Sequence, residues 1–131
     1  MSASGATVVR LVGVYDAEGT VRGEVSYWVG ARLGRAHCSL CDITHGLLRE
    51  RSEWRDCRDA LPVPFDTYHR DDQPAAVRDA AEGVVPVVLA ETPVGFVVLL
   101  GPEQLDECDA SVSEFSDALD RSLAAAGLSI A

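Results

Sequence analysis

The chain has 131 residues, 47% of them apolar, and a formal net charge of −10. That length suits one domain spanning residues 1–131 with a single core, and it is short for two. The acidic balance excludes nucleic acid and anionic membranes as expected partners, since both reward clusters of Lys and Arg.

The opening "MSASGATVVR" has neither the basic start nor the apolar run of a secretory signal, so the expected location is cytoplasmic. In a reducing compartment the four cysteines are expected as thiols, metal ligands or catalytic groups, not as a structural framework. "TVVRLVGVYD", residues 7–16, is β-branched and apolar on both faces, the pattern of a buried strand. The next stretch, 17–34, reads as a helix with Val21, Val25, Trp28, Val29 and Leu33 on one face, although Glu18-Gly19 also suits a hairpin turn. From Cys38 the apolar Leu40, Ile43, Leu47 and Leu48 recur at helical spacing. A second start at Ser52 places Trp54, Cys57 and Leu61 on one face, so one bent helix or two short ones fit equally.

Pro62 and Pro64 stop helicity, and "VPFDTYH" reads as a second strand leading into the polar run "HRDDQP". A short helix over about 75–82 follows. "VVPVVLAE" and "GFVVLLG", joined by "ETPV", form the pattern of a buried antiparallel hairpin; Pro86, Glu91, Thr92 and Pro93 interrupt it too often for a membrane span. Pro102 and Glu103 open another helical stretch. The last helix is marked by the capping box Ser111-x-x-Glu114, the stripe Val112, Phe115, Leu119 and Leu123, and Gly127 as its stop. Parallel βαβ units followed by a hairpin and a closing helix give an α/β sandwich with a four-stranded mixed sheet.

The chemistry concentrates in "GRAHCSLCDITHG", residues 34–46, which holds two of the four cysteines and two of the three histidines. This "CSLC" after the first strand, together with "GVVPVVL" before the third, resembles the thioredoxin-like superfamily. The resemblance implies a thioredoxin-like sandwich over nearly the whole chain, with Pro86 as the cis-proline beside the C-x-x-C. More than twenty residues separate Asp16 from Cys38, so a helical insertion precedes the C-x-x-C. His37 stands where the family usually has Trp, and Ser39-Leu40 replaces its Gly-Pro. "CSLCDITHG" with "YHRDD" is also similar to a small bacterial group marked by C-x-L-C-x-x-T-H-G, some of whose members are labelled GTPases. The chain has no G-x-x-x-x-G-K-[ST], so that label fails on mechanism.

Two chemistries fit the cluster. In thiol–disulfide exchange, Cys38 at a helix start is the nucleophile, because unpaired N–H groups there stabilise a thiolate. Cys41, three residues on, closes the disulfide as the resolving thiol, and His37 carries the proton; the substrate is then a small thiol or a protein disulfide. In a metal site for zinc, copper or iron, Cys41 and His45 stand at i and i+4 on one helix face. Cys38 joins them only from a non-helical entry turn, because i to i+7 spans about 10.5 Å along a helix. His69 is the distant fourth candidate, since parallel strands end on one sheet edge. C-x-x-C-H haem attachment fails at Asp42.

A third reading makes the cysteines structural in a non-catalytic interaction domain. For Cys57 and Cys108, each alone on a helical face, core packing is the favoured reading. Tyr15 and Asp16 end the first strand, at the edge where α/β proteins usually bind ligands.

Overall fold

A computed structural model describes residues 6–16, 39–44 and 51–130. The elements are β1 (Ala6–Thr7), β2 (Arg10–Val14), α1 (Ser39–Thr44), α2 (Ser52–Ala60), β3 (Phe65–Tyr68), α3 (Ala75–Ala80), β4 (Val87–Thr92), β5 (Gly95–Leu100), α4 (Pro102–Glu107), α5 (Val112–Ala125) and β6 (Leu128–Ser129). The helix expected over 17–34, and with it the insertion before the C-x-x-C, lies outside the described residues. So do His37, Cys38, His45, Leu47 and Leu48.

Four strands form one mixed sheet in the order β3-β2-β4-β5. β2 runs parallel to β3, pairing Leu11 with Phe65 and Val14 with Tyr68. It runs antiparallel to β4, pairing Arg10 with Glu91 and Val14 with Val87. β4 and β5 form the expected antiparallel hairpin, with a register shift at Val88/Leu89. Thr92 closes its turn: its hydroxyl donates to the Gly95 carbonyl at 2.9 Å and accepts from the Val94 N–H at 3.3 Å.

The strand predicted as one run from residue 7 to 16 divides in two. The Val8 N–H donates to the Ser129 carbonyl at 2.8 Å, whereas the Val9 N–H donates to Glu91 at 2.7 Å. Successive N–H groups of an extended chain point to opposite sides, so the segment changes partner between these two residues. β1 therefore pairs in parallel with β6, Ala6 opposite Leu128, as a separate two-stranded sheet.

The alternation along β2 builds both cores. Leu11 and Tyr15 join Leu40, Cys41 and Ile43 of α1, Trp54 of α2, Leu105 of α4, and Phe115, Leu119 and Leu123 of α5. Val12 and Val14 point the other way, onto Val77 and Ala81 with Val87 and Leu89. The domain is thus an α/β sandwich, with α3 on one face of the sheet and the other described helices on the opposite face. On the larger side Trp54, Phe65 and Phe115 meet edge to face, with centroids 4.9 to 6.2 Å apart. Such pairs add about 0.5–1.5 kcal/mol each beyond their buried area. α5 keeps its expected cap, the Ser111 hydroxyl accepting from the Glu114 N–H at 3.2 Å. At α4 the Gln104 side chain accepts from the Gly101 N–H at 2.9 Å.

Arg10 links three strands on the smaller face. Its guanidinium pairs with Glu91 on β4, and on β3 donates to Asp66 at 2.9 Å and to the Tyr68 hydroxyl at 3.0 Å. These hydrogen bonds, led by Glu91, raise its pKa further above its ordinary value. The partners keep access to water, so each pair contributes no more than about 1 kcal/mol, and its main effect is on register. No helix among the described residues is long and apolar enough to cross a membrane.

Gly13 is where the larger core is tightest. A Cβ built there falls 3.0 Å from Phe65 Cε1 and 3.2 Å from Leu40 Cδ2. Phe65 is wedged between Trp54 and Phe115, and Leu40 is fully buried, so neither has open space to move into. Gly13→Ala is expected to cost about 1–3 kcal/mol by overpacking. Reversible denaturant unfolding checks this; an unchanged midpoint contradicts it.

Candidate functional site

The parallel pair β2/β3 ends on one sheet edge, where the chain leaves each strand. Tyr15 continues the ladder there, its N–H donating to the Tyr68 carbonyl at 2.9 Å. Asp16 and His69 come next, and the Asp16 carboxylate lies 3.4 Å from the Arg70 guanidinium. β4 runs the opposite way, so pairing Val14 with Val87 brings the start of β4, with buried Pro86 before it, to the same edge. The Val85–Pro86 peptide is cis.

α1 packs over this edge from the side of the larger core. Leu40 and Ile43 are fully buried, and Cys41 is 6% exposed in the cluster that holds Tyr15. Cys41 is disulfide-bonded. At the end of α1 the fully buried Thr44 meets Tyr15, hydroxyl to hydroxyl at 3.0 Å. Burial gives this bond weight, because a hydroxyl deprived of its partner in such a place costs about 1–3 kcal/mol.

His69 lies beside Tyr15, with ring centroids 5.4 Å apart and planes inclined at 51°. Its Nδ1 is 3.1 Å from Asp72 Oδ2, and its backbone N–H donates to the other oxygen of the same carboxylate. Asp72 thus fixes both the main chain and the imidazole orientation. The spacing in "HRDD" carries this local contact, as an i,i+3 pair. Tyr15 therefore touches both the helix of Cys41 and His69.

Of the expected catalytic and metal-ligating residues, Cys41, His69 and Pro86 fall on described chain, and all three belong to this edge or to the helix over it. His37, Cys38 and His45 lie outside the described residues. Among the described residues, no three His, Cys, Asp or Glu side chains gather in a group fit to hold a metal ion. Thr44 and Asp72 were not foreseen as parts of the site. Nothing in the sequence pattern marks Thr44, because a single threonine late in a helix carries no spacing signal.

The remaining cysteines have a different character. Cys108 is buried and Cys57 half-buried, and both are free thiols. Burial pushes both above the ordinary thiol value of 9.0; for Cys57 a hydrogen bond from Ser116 opposes the shift. Each lines a surface groove. One holds about 460 Å³ between β5, α4 and α5, with Cys108 and Arg121, and the other about 470 Å³ between α2 and α5, with Cys57 and Ser116. Neither groove is lined by Tyr15, Cys41, His69 or Pro86.

Comparison with protein-family models, with curated proteins and with solved structures finds no match to this chain.

The thiolate is the reactive form, so a raised pKa makes Cys57 and Cys108 slow nucleophiles at neutral pH. Alkylation of both by iodoacetamide in the native protein is expected to be slow at pH 7. It should accelerate about tenfold per pH unit and still be rising at pH 9. Peptide mass analysis after timed quenching checks this, and rapid labelling of either residue at pH 7 contradicts it.

Proposed function

We propose that the chain is a thiol–disulfide oxidoreductase of thioredoxin-like arrangement, in which Cys38 and Cys41 form the working pair. The observation that carries the reading is the state of the cysteines: Cys41 is in a disulfide, while Cys57 and Cys108 are free. The reading pairs Cys41 with Cys38, which stands at C-x-x-C spacing from it. Further support comes from the strand order β3-β2-β4-β5, with the Cys41 helix packed over the edge where β2 and β3 end. This order belongs to the thioredoxin-like pattern that the sequence resembles. The reading takes residues 1–131 as a single domain acting in the cytoplasm.

In the reducing direction, the Cys38 thiolate attacks one sulfur of a substrate disulfide. The substrate S–S bond breaks, a Cys38–substrate mixed disulfide forms, and the departing substrate sulfur takes a proton, for which His37 is the assigned carrier. The Cys41 thiolate then attacks Cys38 Sγ, expelling the second substrate thiol and closing the Cys38–Cys41 disulfide. Two electrons have passed to the substrate. A small thiol such as glutathione restores the dithiol, two thiol molecules being oxidised to one disulfide.

The alternative is a zinc, copper or iron site built from Cys38, Cys41, His45 and His69. A metal requires Cys41 as a thiolate, whereas its sulfur is engaged in a disulfide here. That favours exchange chemistry over coordination.

Substitution separates the roles. Cys38→Ser is expected to reduce disulfide-peptide reduction to the background rate. Cys41→Ser should retain the first attack and accumulate a mixed disulfide, visible as a mass adduct removed by reductant. If Cys41→Ser forms no adduct with a peptide disulfide or with oxidised glutathione, the reading fails.

A further inference from the structure

We propose that Tyr15 is a positioning residue for the dithiol, holding the Cys41 helix to the sheet edge in the disulfide form through its hydrogen bond to Thr44. The inference rests on the exchange reading above and assigns the residue that biases its redox balance.

Contacts on three sides hold Tyr15 among the described residues. Its backbone N–H is tied to the Tyr68 carbonyl at 2.9 Å, its ring lies against His69 at 5.4 Å, and its hydroxyl meets Thr44 Oγ1 at 3.0 Å. The residue is 4% exposed and Thr44 is fully buried, so water does not readily replace the bond if it breaks. The anchor is rooted in the central strand, whose position is set by neighbours on both sides.

The anchored helix is short. Thr44 lies three residues beyond Cys41, about 4.5 Å along the axis at 1.5 Å per residue, so α1 transmits a shift at one point to the other with little loss. Closing or opening a disulfide at Cys41 changes what that part of the helix is bonded to. The Tyr15–Thr44 bond resists the accompanying movement at the far end. It is present with Cys41 disulfide-bonded, and the proposal is that it loosens when that disulfide opens. A bond made in one redox state and loosened in the other shifts the equilibrium by the difference.

The balanced reaction is one protein disulfide plus two glutathione thiols giving one protein dithiol plus one glutathione disulfide. Removing a contact that favours the disulfide moves this equilibrium toward the dithiol, making the protein a stronger oxidant.

The test is the glutathione redox equilibrium of the full chain at pH 7, read by acid quench, alkylation and mass of the Cys38–Cys41 peptide. Tyr15→Phe and Thr44→Val are each expected to shift it about three- to tenfold toward the dithiol, or about 15–30 mV at 29.6 mV per tenfold for two electrons. The double variant should shift no further than either single one, and Thr44→Ser should stay near the wild type. Should Tyr15→Phe fail to fold, Thr44→Val against Thr44→Ser decides alone. Equilibria equal to the wild type in these variants, whatever happens to their Tm, make the bond purely structural and overturn the proposal. A wild type that forms no Cys38–Cys41 disulfide at any glutathione ratio overturns the exchange reading and this inference with it. Failure confined to the variants overturns only the role of Tyr15.

Discussion

Burial of β2 on both faces is the constraint from which the remaining arrangement follows. Leu11 and Gly13 of β2, with Tyr15 just beyond it, face four of the described helices, and Val12 and Val14, beside Val87 and Leu89 of β4, face α3. Such a strand is stable only with a hydrogen-bonded neighbour on each side and a helix layer over each face. β3 and β4 supply the neighbours, and their directions bring Tyr15, His69 and Pro86 to one edge. Gly13 lets Leu40 and Phe65 approach the strand, and Leu40 precedes Cys41 by one residue. The packing of the core therefore also places the helix that carries Cys41.

Magnitudes separate what holds the fold from what tunes the site. The aromatic triad and the apolar faces contribute most, since burying one large side chain is worth about 1.5–3 kcal/mol. The Arg10 bridges contribute less, because their carboxylates remain partly in water. The Tyr15–Thr44 bond is modest in energy, and under the proposed exchange chemistry a modest energy matters, because a factor of ten in a redox equilibrium needs only about 1.4 kcal/mol.

Elements with a repeating pattern were legible in the sequence. The α5 stripe of Val112, Phe115, Leu119 and Leu123 is buried as its spacing indicates, and Ser111 caps the helix as expected. The hairpin on either side of "ETPV" and the burial of Trp54 were legible for the same reason, each being a local period or a strong turn. The β1–β6 pairing was not, because two residues near each end of the chain carry no period and gain meaning only once the sheet exists. Within the site, C-x-x-C and His69 could be named from spacing and topology. The Tyr15–Thr44 contact had no such mark, since which buried hydroxyls meet is decided by tertiary packing. The isomer of Pro86 is likewise fixed by tertiary context rather than by its neighbours in sequence.

The central claim is that Cys38 and Cys41 form a reversible disulfide and not a metal site. Native and denaturing mass spectra of the full chain, purified without chelator and recorded before and after mild reductant, test it most directly. The account predicts a deficit of about 2 Da, the two hydrogens lost on disulfide formation, reversed by reductant and mapped to the Cys38–Cys41 peptide. A stoichiometric ion in the native spectrum, lost on unfolding and accompanied by reduced cysteines, would contradict it.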